Sequence, residues 1–219
     1  MGSIPAVRTI MLTAQRWLEA KALHLWRGEI HVLRGLNLRV ESGNCLQVSG
    51  ANGAGKTSLL RTLAGLLPLE SGTVDWCGKD TRKDHHTYHG ELAWLGHGTA
   101  LKADLTADEN LHYSAGLRRA VTNSGIEAAL AKVGYPNAER RLARHMSAGQ
   151  QRRVALARVL LSDSSLWLLD EPTANLDSQG QAMFGQILAA HLEGGGLAVV
   201  ASHHALPLAA ERLRSLELS

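Results

Sequence analysis

The chain has 219 residues, of which 45% are hydrophobic and 20% are charged, and its formal net charge is +3. This length and balance fit one globular domain with a full hydrophobic core, and they exclude an intrinsically disordered chain. No apolar run approaches the 18 residues that a membrane-spanning helix needs. The mild positive charge would suit anionic lipid or nucleic acid, but arginines on solvated helix faces or in ion pairs explain it more simply.

The N-terminal third begins with residues 1–16, where we expect a loose extension. Residues 18–25 and 30–40 alternate apolar and polar side chains, which predicts two paired strands of a half-exposed sheet. Residues 45–48 then form a short strand pattern, and residues 57–65 form a helical one. A glycine-rich loop separates them, so a strand–loop–helix unit is predicted here.

The middle of the chain is predicted to add short strands and a helical insert. Residues 73–76 and 91–96 have strand patterns, and residues 79–89 between them are a polar segment. The pattern becomes helical over residues 107–133, with two breaks. These features indicate a small group of helices attached to a sheet.

The last third alternates helices with buried strands. Residues 150–161 and 178–192 have helical patterns, whereas residues 166–169 and 197–201 are wholly apolar. Wholly apolar strands are typical of the centre of a parallel sheet, because helices cover both of its faces. The alternation predicts a doubly wound α/β core.

The glycine-rich loop fits the phosphate-binding pattern G-x-x-x-x-G-K-[ST]. Its residues are Gly50, Ala51, Asn52, Gly53, Ala54, Gly55, Lys56 and Thr57, with Ser58 next in the helix. Glycines bring backbone N–H groups close to phosphate oxygens, and the helix that follows directs its positive N-terminus at them. Lys56 adds charge near the β- and γ-phosphates, and the Thr57 hydroxyl suits Mg²⁺. The alternative is a glycine turn that only caps a core helix.

An acidic pair, Asp170 and Glu171, follows the apolar strand over 166–169. In a phosphate-loop protein, a carboxylate at this position can hold Mg²⁺. The next carboxylate can polarise the water that attacks the γ-phosphate. The alternative is an exposed acidic pair at a strand end.

Residues 146–150 lie before the helix over 150–161 and consist mostly of small side chains. Open backbone N–H groups at a helix N-terminus form a second possible anion site. A plain N-cap by Ser147 explains the same residues, and taken alone this explanation is the simpler one.

Five short motifs occur in an order found in one protein family. They span residues 50–57, 146–150, 166–171, 175–177 and 202–203. Together they resemble the ATP-binding cassette of ABC transporters, over nearly the whole chain from about residue 17. The resemblance implies an α/β P-loop NTPase with a RecA-like core, a small antiparallel β-subdomain and a helical subdomain at about 98–150. It assigns residues 17–219 to one ABC ATPase domain with ATP and Mg²⁺ as cofactors.

The resemblance also implies a role for each later motif. Residues 146–150 look like the family's signature motif, in which Ala148 here replaces a glycine. Asp177 ends a segment that looks like the D-loop. His203 looks like the switch histidine that contacts the γ-phosphate, and with Lys56 and Glu171 it completes the implied catalytic set.

ABC cassettes bind nucleotide as head-to-tail dimers, so the resemblance implies a sandwich of two copies. The nucleotide would lie between Lys56 of one copy and Ser147, Gly149 and Gln150 of the other. One phosphate loop cannot surround a triphosphate, and a second helix N-terminus supplied by the other copy adds electrostatic stabilisation where charge develops. ATP would thereby join the two copies, and hydrolysis would release them.

Further segments resemble the ATP-binding subunits of haem exporters in cytochrome c maturation. These segments cover residues 88–89, 92–97, 105–107, 109–112, 147–158 and 166–172. The resemblance implies a peripheral ATPase at the cytoplasmic face of the inner membrane. Its partners would be the membrane subunit CcmB, with CcmC and CcmD in the same complex. ATP hydrolysis would drive haem handling and release of the haem-loaded chaperone CcmE.

Two positions depart from the family pattern or stay open. His97 lies where most ABC cassettes carry the glutamine that senses Mg²⁺, and a neutral imidazole there could order a water molecule instead. Trp26 precedes the phosphate loop at about the distance of the family's adenine-stacking aromatic residue. The alternative is that Trp26 only covers the small sheet.

Other functions fit parts of the sequence. A different ABC exporter would share every motif but carry other cargo. A nucleic-acid-linked ABC ATPase would suit the positive charge, although such proteins usually carry long coiled coils or two cassettes, and nucleic acid is therefore not expected as a partner. His97 also raises the possibility of a nucleotide-binding subunit without turnover. His85, His86, His89 and His204 suggest haem ligands, but nothing in the sequence indicates an apolar haem pocket, so surface histidines are the simpler interpretation.

Overall fold

A computed structural model describes residues 15–116, 120–135 and 141–219. The expected extension over residues 1–16 therefore lies almost wholly outside the described residues. The described strands are β1 (Trp17–Arg27), β2 (Ile30–Glu41), β3 (Cys45–Gly50), β4 (Ser71–Trp76), β5 (Lys79–Asp80), β6 (Leu92–Leu95), β7 (Leu166–Asp170), β8 (Leu197–Ala201) and β9 (Leu213–Leu218). The described helices are α1 (Lys56–Leu63), α2 (His85–Glu91), α3 (Ala107–Gly116), α4 (Asn123–Lys132), α5 (Ala148–Leu161) and α6 (Ser178–Glu193), with short 3₁₀ turns at Ala143–His145 and Ala210–Arg212.

A five-stranded parallel sheet forms the centre of the fold, in the order β6-β7-β8-β3-β9. Every residue of β7 and β8 is buried, because helices or a second sheet cover both faces. The strands of a parallel sheet end at one edge, so the phosphate loop after β3 and the acidic pair at the end of β7 meet there. The predicted α/β core is confirmed.

The second sheet is antiparallel, in the order β2-β1-β4-β5. Leu18 and Ala20 of β1 are buried, and after a bulge over residues 21–22 the buried positions continue with Leu23 and Leu25. They pack with Leu46 and Val48 of β3 and with α1 in one hydrophobic cluster. The half-exposed sheet predicted from the alternating pattern is therefore present, and its buried face covers one side of the parallel sheet.

The opposite face of the parallel sheet carries the other helices. Phe184 and Leu188 of α6 pack in a second cluster with Trp167 and Leu169 of β7. Helices α3, α4 and α5 contribute Leu111, Leu130 and Val154, among others, to the same cluster. The limits of the helical subdomain, at about 98–150, stay a prediction.

Two regular elements and one edge strand were not expected from the sequence. The polar segment over residues 79–89 contains β5 and most of α2, which has no apolar period because only Tyr88 in it is buried. The Tyr88 hydroxyl donates a hydrogen bond to the Leu63 carbonyl at 2.6 Å, which fixes α2 against the end of α1. In β9, apolar and polar residues alternate too weakly for the strand to be predicted from the sequence. The strand is recognised in the structure by its parallel pairing with β3.

Candidate active site

The backbone of the phosphate loop is open and turns tightly between β3 and α1. Gly50, Gly53 and Gly55 have φ angles of 137°, 86° and 101°. A Cβ on Gly55 would collide with Cγ1 of Val32, and a Cβ on Gly50 would collide with the carbonyl oxygen of Leu218. These two positions therefore require glycine for space as well as for conformation. The result is the backbone geometry that phosphate binding requires.

Lys56 places its ammonium group inside the loop. Its Nζ donates hydrogen bonds to the carbonyl oxygens of Gly50 at 2.8 Å and Ala51 at 3.0 Å, and the residue is only 8% exposed. The first turn of α1 contains no acidic residue. The positive charge and the helix N-terminus thus face the loop together, an arrangement that favours an anion.

Thr57 and Asp170 come from different elements and meet at the sheet edge. The Thr57 hydroxyl donates to Asp170 Oδ2 at 2.8 Å, and Asp170 is 2% exposed. A hydroxyl and a carboxylate are oxygen donors of the kind that Mg²⁺ prefers beside a triphosphate. The donor set therefore fits Mg²⁺ chemically.

Glu171 follows Asp170 and adopts a positive φ of 49°. Its backbone N–H donates to the Ala201 carbonyl at 2.9 Å, which anchors the loop to β8. Its Oε1 is buried without a hydrogen-bond partner, and His203 Nε2 lies 3.6 Å from that atom. A carboxylate oxygen with an unused acceptor site, beside a histidine, is suited to bind and polarise a water molecule.

An open cavity of about 520 Å³ connects these groups. The predicted site residues that line it are Asn52, Gly53, Gly55, Lys56, Thr57, Ser58, His97, Asp170, Glu171 and His203. Gly50, Ala51 and Ala54 belong to the loop but do not line the cavity. Its volume is in the range of small-molecule sites. One chain thus brings together the phosphate-loop, acidic and histidine residues predicted from sequence.

The signature residues lie elsewhere on the same chain. Ser147 Oγ accepts the Gln150 N–H at 3.2 Å, and Gln150 Oε1 accepts the Ser147 N–H at 2.9 Å, which forms a capping box on α5. A Cβ on Gly149 would lie 2.7 Å from the Asn175 carbonyl. Asp177 caps α6 and accepts from Arg153 at 3.1 Å. None of Ser147, Gly149, Gln150 and Asp177 lines the cavity.

Trp26 also lies away from the cavity lining. Its ring stacks on the His31 ring with centroids 4.2 Å apart and an interplanar angle of 6°, and the residue is 46% exposed. The neighbouring Arg27 lines the cavity together with Val32. These two residues are not predicted from the sequence, because strand alternation assigns side chains to faces only when the positions of the bulges are known.

Arg152 is a third residue of this region that was not predicted from the sequence. Its guanidinium donates to the carbonyl oxygens of Gly96 at 3.1 Å, Asp170 at 3.2 Å and Glu171 at 2.6 Å. Burial lowers the pKa of this side chain, and the charges of Asp170 and Glu171 oppose that shift. The sequence gives one indication that Arg152 is buried. It lies three residues before Ala155 in α5, so both side chains are on the same face of the helix, and Ala155 is buried.

Comparison with known proteins agrees with this site. Residues 33–174 match the family described as ABC transporter. A cytochrome c biogenesis ATP-binding export protein CcmA from Methylococcus capsulatus is 46% identical over 91% of this chain and 97% of its own length. The corresponding protein from Nitrosococcus oceani is 42% identical over the full length of both chains.

The chain belongs to the CcmA family of ABC transporter ATP-binding proteins. It is therefore an ABC-type ATPase that binds ATP, and the resemblance drawn from its motifs is confirmed. A putative ABC transporter ATP-binding protein from Pyrococcus furiosus has the same fold, with a TM-score of 0.80 at 24% identity over 91% of this chain and 97% of the other. Among the described residues of this CcmA family member, no helix is long and apolar enough to cross a membrane.

Proposed function

We propose that this protein is the ATP-hydrolysing subunit of a membrane ABC complex in cytochrome c maturation. The observation that carries the proposal is the cluster of Lys56, Thr57, Asp170, Glu171 and His203 at one sheet edge, in a chain 42–47% identical to CcmA proteins. The names of those relatives indicate the process, which is cytochrome c biogenesis, and the cluster indicates the chemistry, which is ATP hydrolysis.

Hydrolysis at this site needs a bound triphosphate and an oriented water molecule. The loop N–H groups and Lys56 bind the β- and γ-phosphates. Thr57 and Asp170 would hold Mg²⁺, which would supply positive charge to the phosphate oxygens. Glu171 orients the water and accepts its proton as the water oxygen forms a bond to the γ-phosphorus. The bond between that phosphorus and the β–γ bridging oxygen breaks, which leaves ADP and phosphate. His203 donates to a γ-phosphate oxygen as charge develops.

The second half of the site comes from another copy of the chain. Ser147, Gly149 and Gln150 occupy the N-terminus of α5, and Asp177 the N-terminus of α6, outside the cavity. In a head-to-tail dimer, these helix ends face the phosphate loop of the other copy and complete the binding of the γ-phosphate. His97 at the rim of the cavity orders a water in the place of a glutamine amide.

The partners are the other members of the maturation system. As the ATP-binding subunit of an ABC system, the chain works with membrane partners. We assign these as CcmB, with CcmC and CcmD in the same complex, and hydrolysis drives haem handling and release of haem-loaded CcmE. The chain then acts as a peripheral subunit at the cytoplasmic face of the inner membrane.

The test is purification of the tagged full-length protein from membranes, with identification of its partners and an ATPase assay of the complex. We expect CcmB and CcmC to copurify, and we expect Lys56→Ala to remove turnover. Glu171→Gln should keep ATP bound but lower turnover at least about 10²-fold, because the general base is lost. Full activity of Glu171→Gln would disprove the catalytic assignment, and recovery of unrelated membrane partners would disprove the assigned pathway.

A further inference from the structure

The cavity has groups for phosphate, Mg²⁺ and water, but none of its assigned residues accounts for the nucleotide base. Arg27 and Val32 are the two lining residues from the antiparallel sheet. The other lining residues, within the described part of the chain, belong to the parallel sheet, to α1 or to the loops that follow the parallel strands. A base that extends away from the phosphates would meet this wall.

The strand geometry shows which face of the antiparallel sheet carries Val32 and which face carries Trp26. Val32 lies against the phosphate loop, because a Cβ on Gly55 would collide with its Cγ1. Leu25 of β1 is buried in the cluster with β3 and α1, so the side chain of Trp26, the next residue of that strand, points to the opposite face. Trp26 pairs with His31 across the strands and stacks on its ring. The indole is therefore on the face away from the phosphate loop.

Arg27 is on the correct face. Its side chain shares a face with that of buried Leu25, because one residue of β1 separates the two, and its cross-strand partner is Ile30. Ile30 is 69% exposed, and Arg27 is also exposed. Arg27 and Val32 thus line the cavity beside the phosphate loop, and Ile30 is the exposed cross-strand neighbour of Arg27.

We propose that Arg27, and not Trp26, forms the adenine-binding platform, with its guanidinium plane stacked on the base and Val32 and Ile30 in apolar contact with it. This proposal rests on the proposed ATP site. Guanidinium groups stack on aromatic faces, and nucleic-acid bases are bound in this way by arginine. The indole of Trp26 keeps its partner His31 and contacts no nucleotide.

The experiment measures ATP and inorganic tripolyphosphate binding by calorimetry for the full-length protein and its variants. Arg27→Ala should weaken ATP binding about tenfold through loss of base stacking. Arg27→Phe restores a flat surface and should recover most of the affinity, whereas Arg27→Lys keeps the charge and should not. Tripolyphosphate, which has no base, should bind all variants equally. Trp26→Ala is the matched neighbour and should bind ATP as the wild type does.

Three results would overturn the proposal. The first is weaker ATP binding by Trp26→Ala with no change for Arg27→Ala. The second is recovery by Arg27→Lys together with weaker tripolyphosphate binding by Arg27→Ala, which would place the guanidinium on phosphate. The third is unchanged ATP binding by Arg27→Ala while Lys56→Ala lowers it, which leaves the proposed ATP site intact. If Lys56→Ala also had no effect, the proposed ATP site itself would fail.

Discussion

The loop after β7 holds two residues in a conformation that side chains rarely adopt. Glu171 has φ 49° and Asn175 has φ 63°. Each such residue costs on the order of 1 kcal/mol and persists only where its surroundings hold it. Here the Glu171 N–H donates a hydrogen bond to the Ala201 carbonyl, and the Arg152 guanidinium donates one to the Glu171 carbonyl oxygen. The carboxylate that we propose as the general base is thus positioned by contacts from β8 and α5 rather than by its own backbone preference.

Replacement of Arg152 tests this support. Arg152→Met keeps much of the side-chain length but leaves the buried carbonyl acceptor of Asp170 and the partly buried ones of Gly96 and Glu171 without their charged donor. We expect a loss of about 3 kcal/mol in the free energy of unfolding and a lower kcat. Denaturant titration and ATPase kinetics measure the two effects.

The matched control for Arg152 is Arg61→Met on α1, where the side chain is exposed. We expect a cost below about 1 kcal/mol there, since only a favourable charge near a helix C-terminus is lost. Equal effects of the two substitutions would contradict a special role for Arg152.

A buried histidine makes stability depend on pH. His191 stacks on Trp167 with centroids 3.8 Å apart, and burial lowers its pKa to about 4 from a usual value near 6.5. Between these two values the unfolded chain binds the proton and the folded chain does not, so the free energy of unfolding falls as pH decreases from about 6.5 to about 4. Above pH 6.5 both states are neutral and the effect vanishes.

Urea unfolding of wild type and His191→Gln at several pH values tests this linkage. The stability advantage of the wild type over His191→Gln should shrink by roughly 1 kcal/mol per pH unit across this window. A difference that stays constant between pH 7 and pH 4.5 would show that the imidazole titrates normally in the folded chain.

Strand β9 pairs with β3 up to Gly50, the first residue of the phosphate loop. Leu218 pairs with Gly50 in register and is 8% exposed, and it packs with the cluster that contains β3 and α1. Leu218→Asp places a charge in that cluster, so we expect a loss of about 3 kcal/mol in stability and weaker ATP binding. Thermal unfolding and calorimetry measure both.

Ser219→Asp adds the same charge one residue later, where the side chain is exposed. It should change stability by less than about 0.5 kcal/mol. If Leu218→Asp proved equally harmless, β9 would have no part in supporting the loop.

At the scale of the whole molecule, the proposed dimer predicts complementation between two inactive variants. Lys56→Ala disables the phosphate loop, and Ser147→Arg blocks the α5 helix end. A mixed dimer then contains one intact composite site, built from the loop of one copy and the helix end of the other. A 1:1 mixture in assembled complexes should therefore recover about a quarter of the wild-type sites. Absence of any recovered ATPase activity would argue that each chain hydrolyses ATP alone.

The sequence by itself determined the chemistry and the order of the main elements. The loop over residues 50–57, the acidic pair after residues 166–169 and the apolar strands are local patterns, and each has a physical reason that a short segment can satisfy alone. Only the tertiary structure decided which side chains meet. The faces of Trp26 and Arg27 depend on bulges in β1, Arg152 binds carbonyls of distant segments, and β9 exists through its pairing with β3. These contacts join residues far apart in the chain, so no local pattern encodes them.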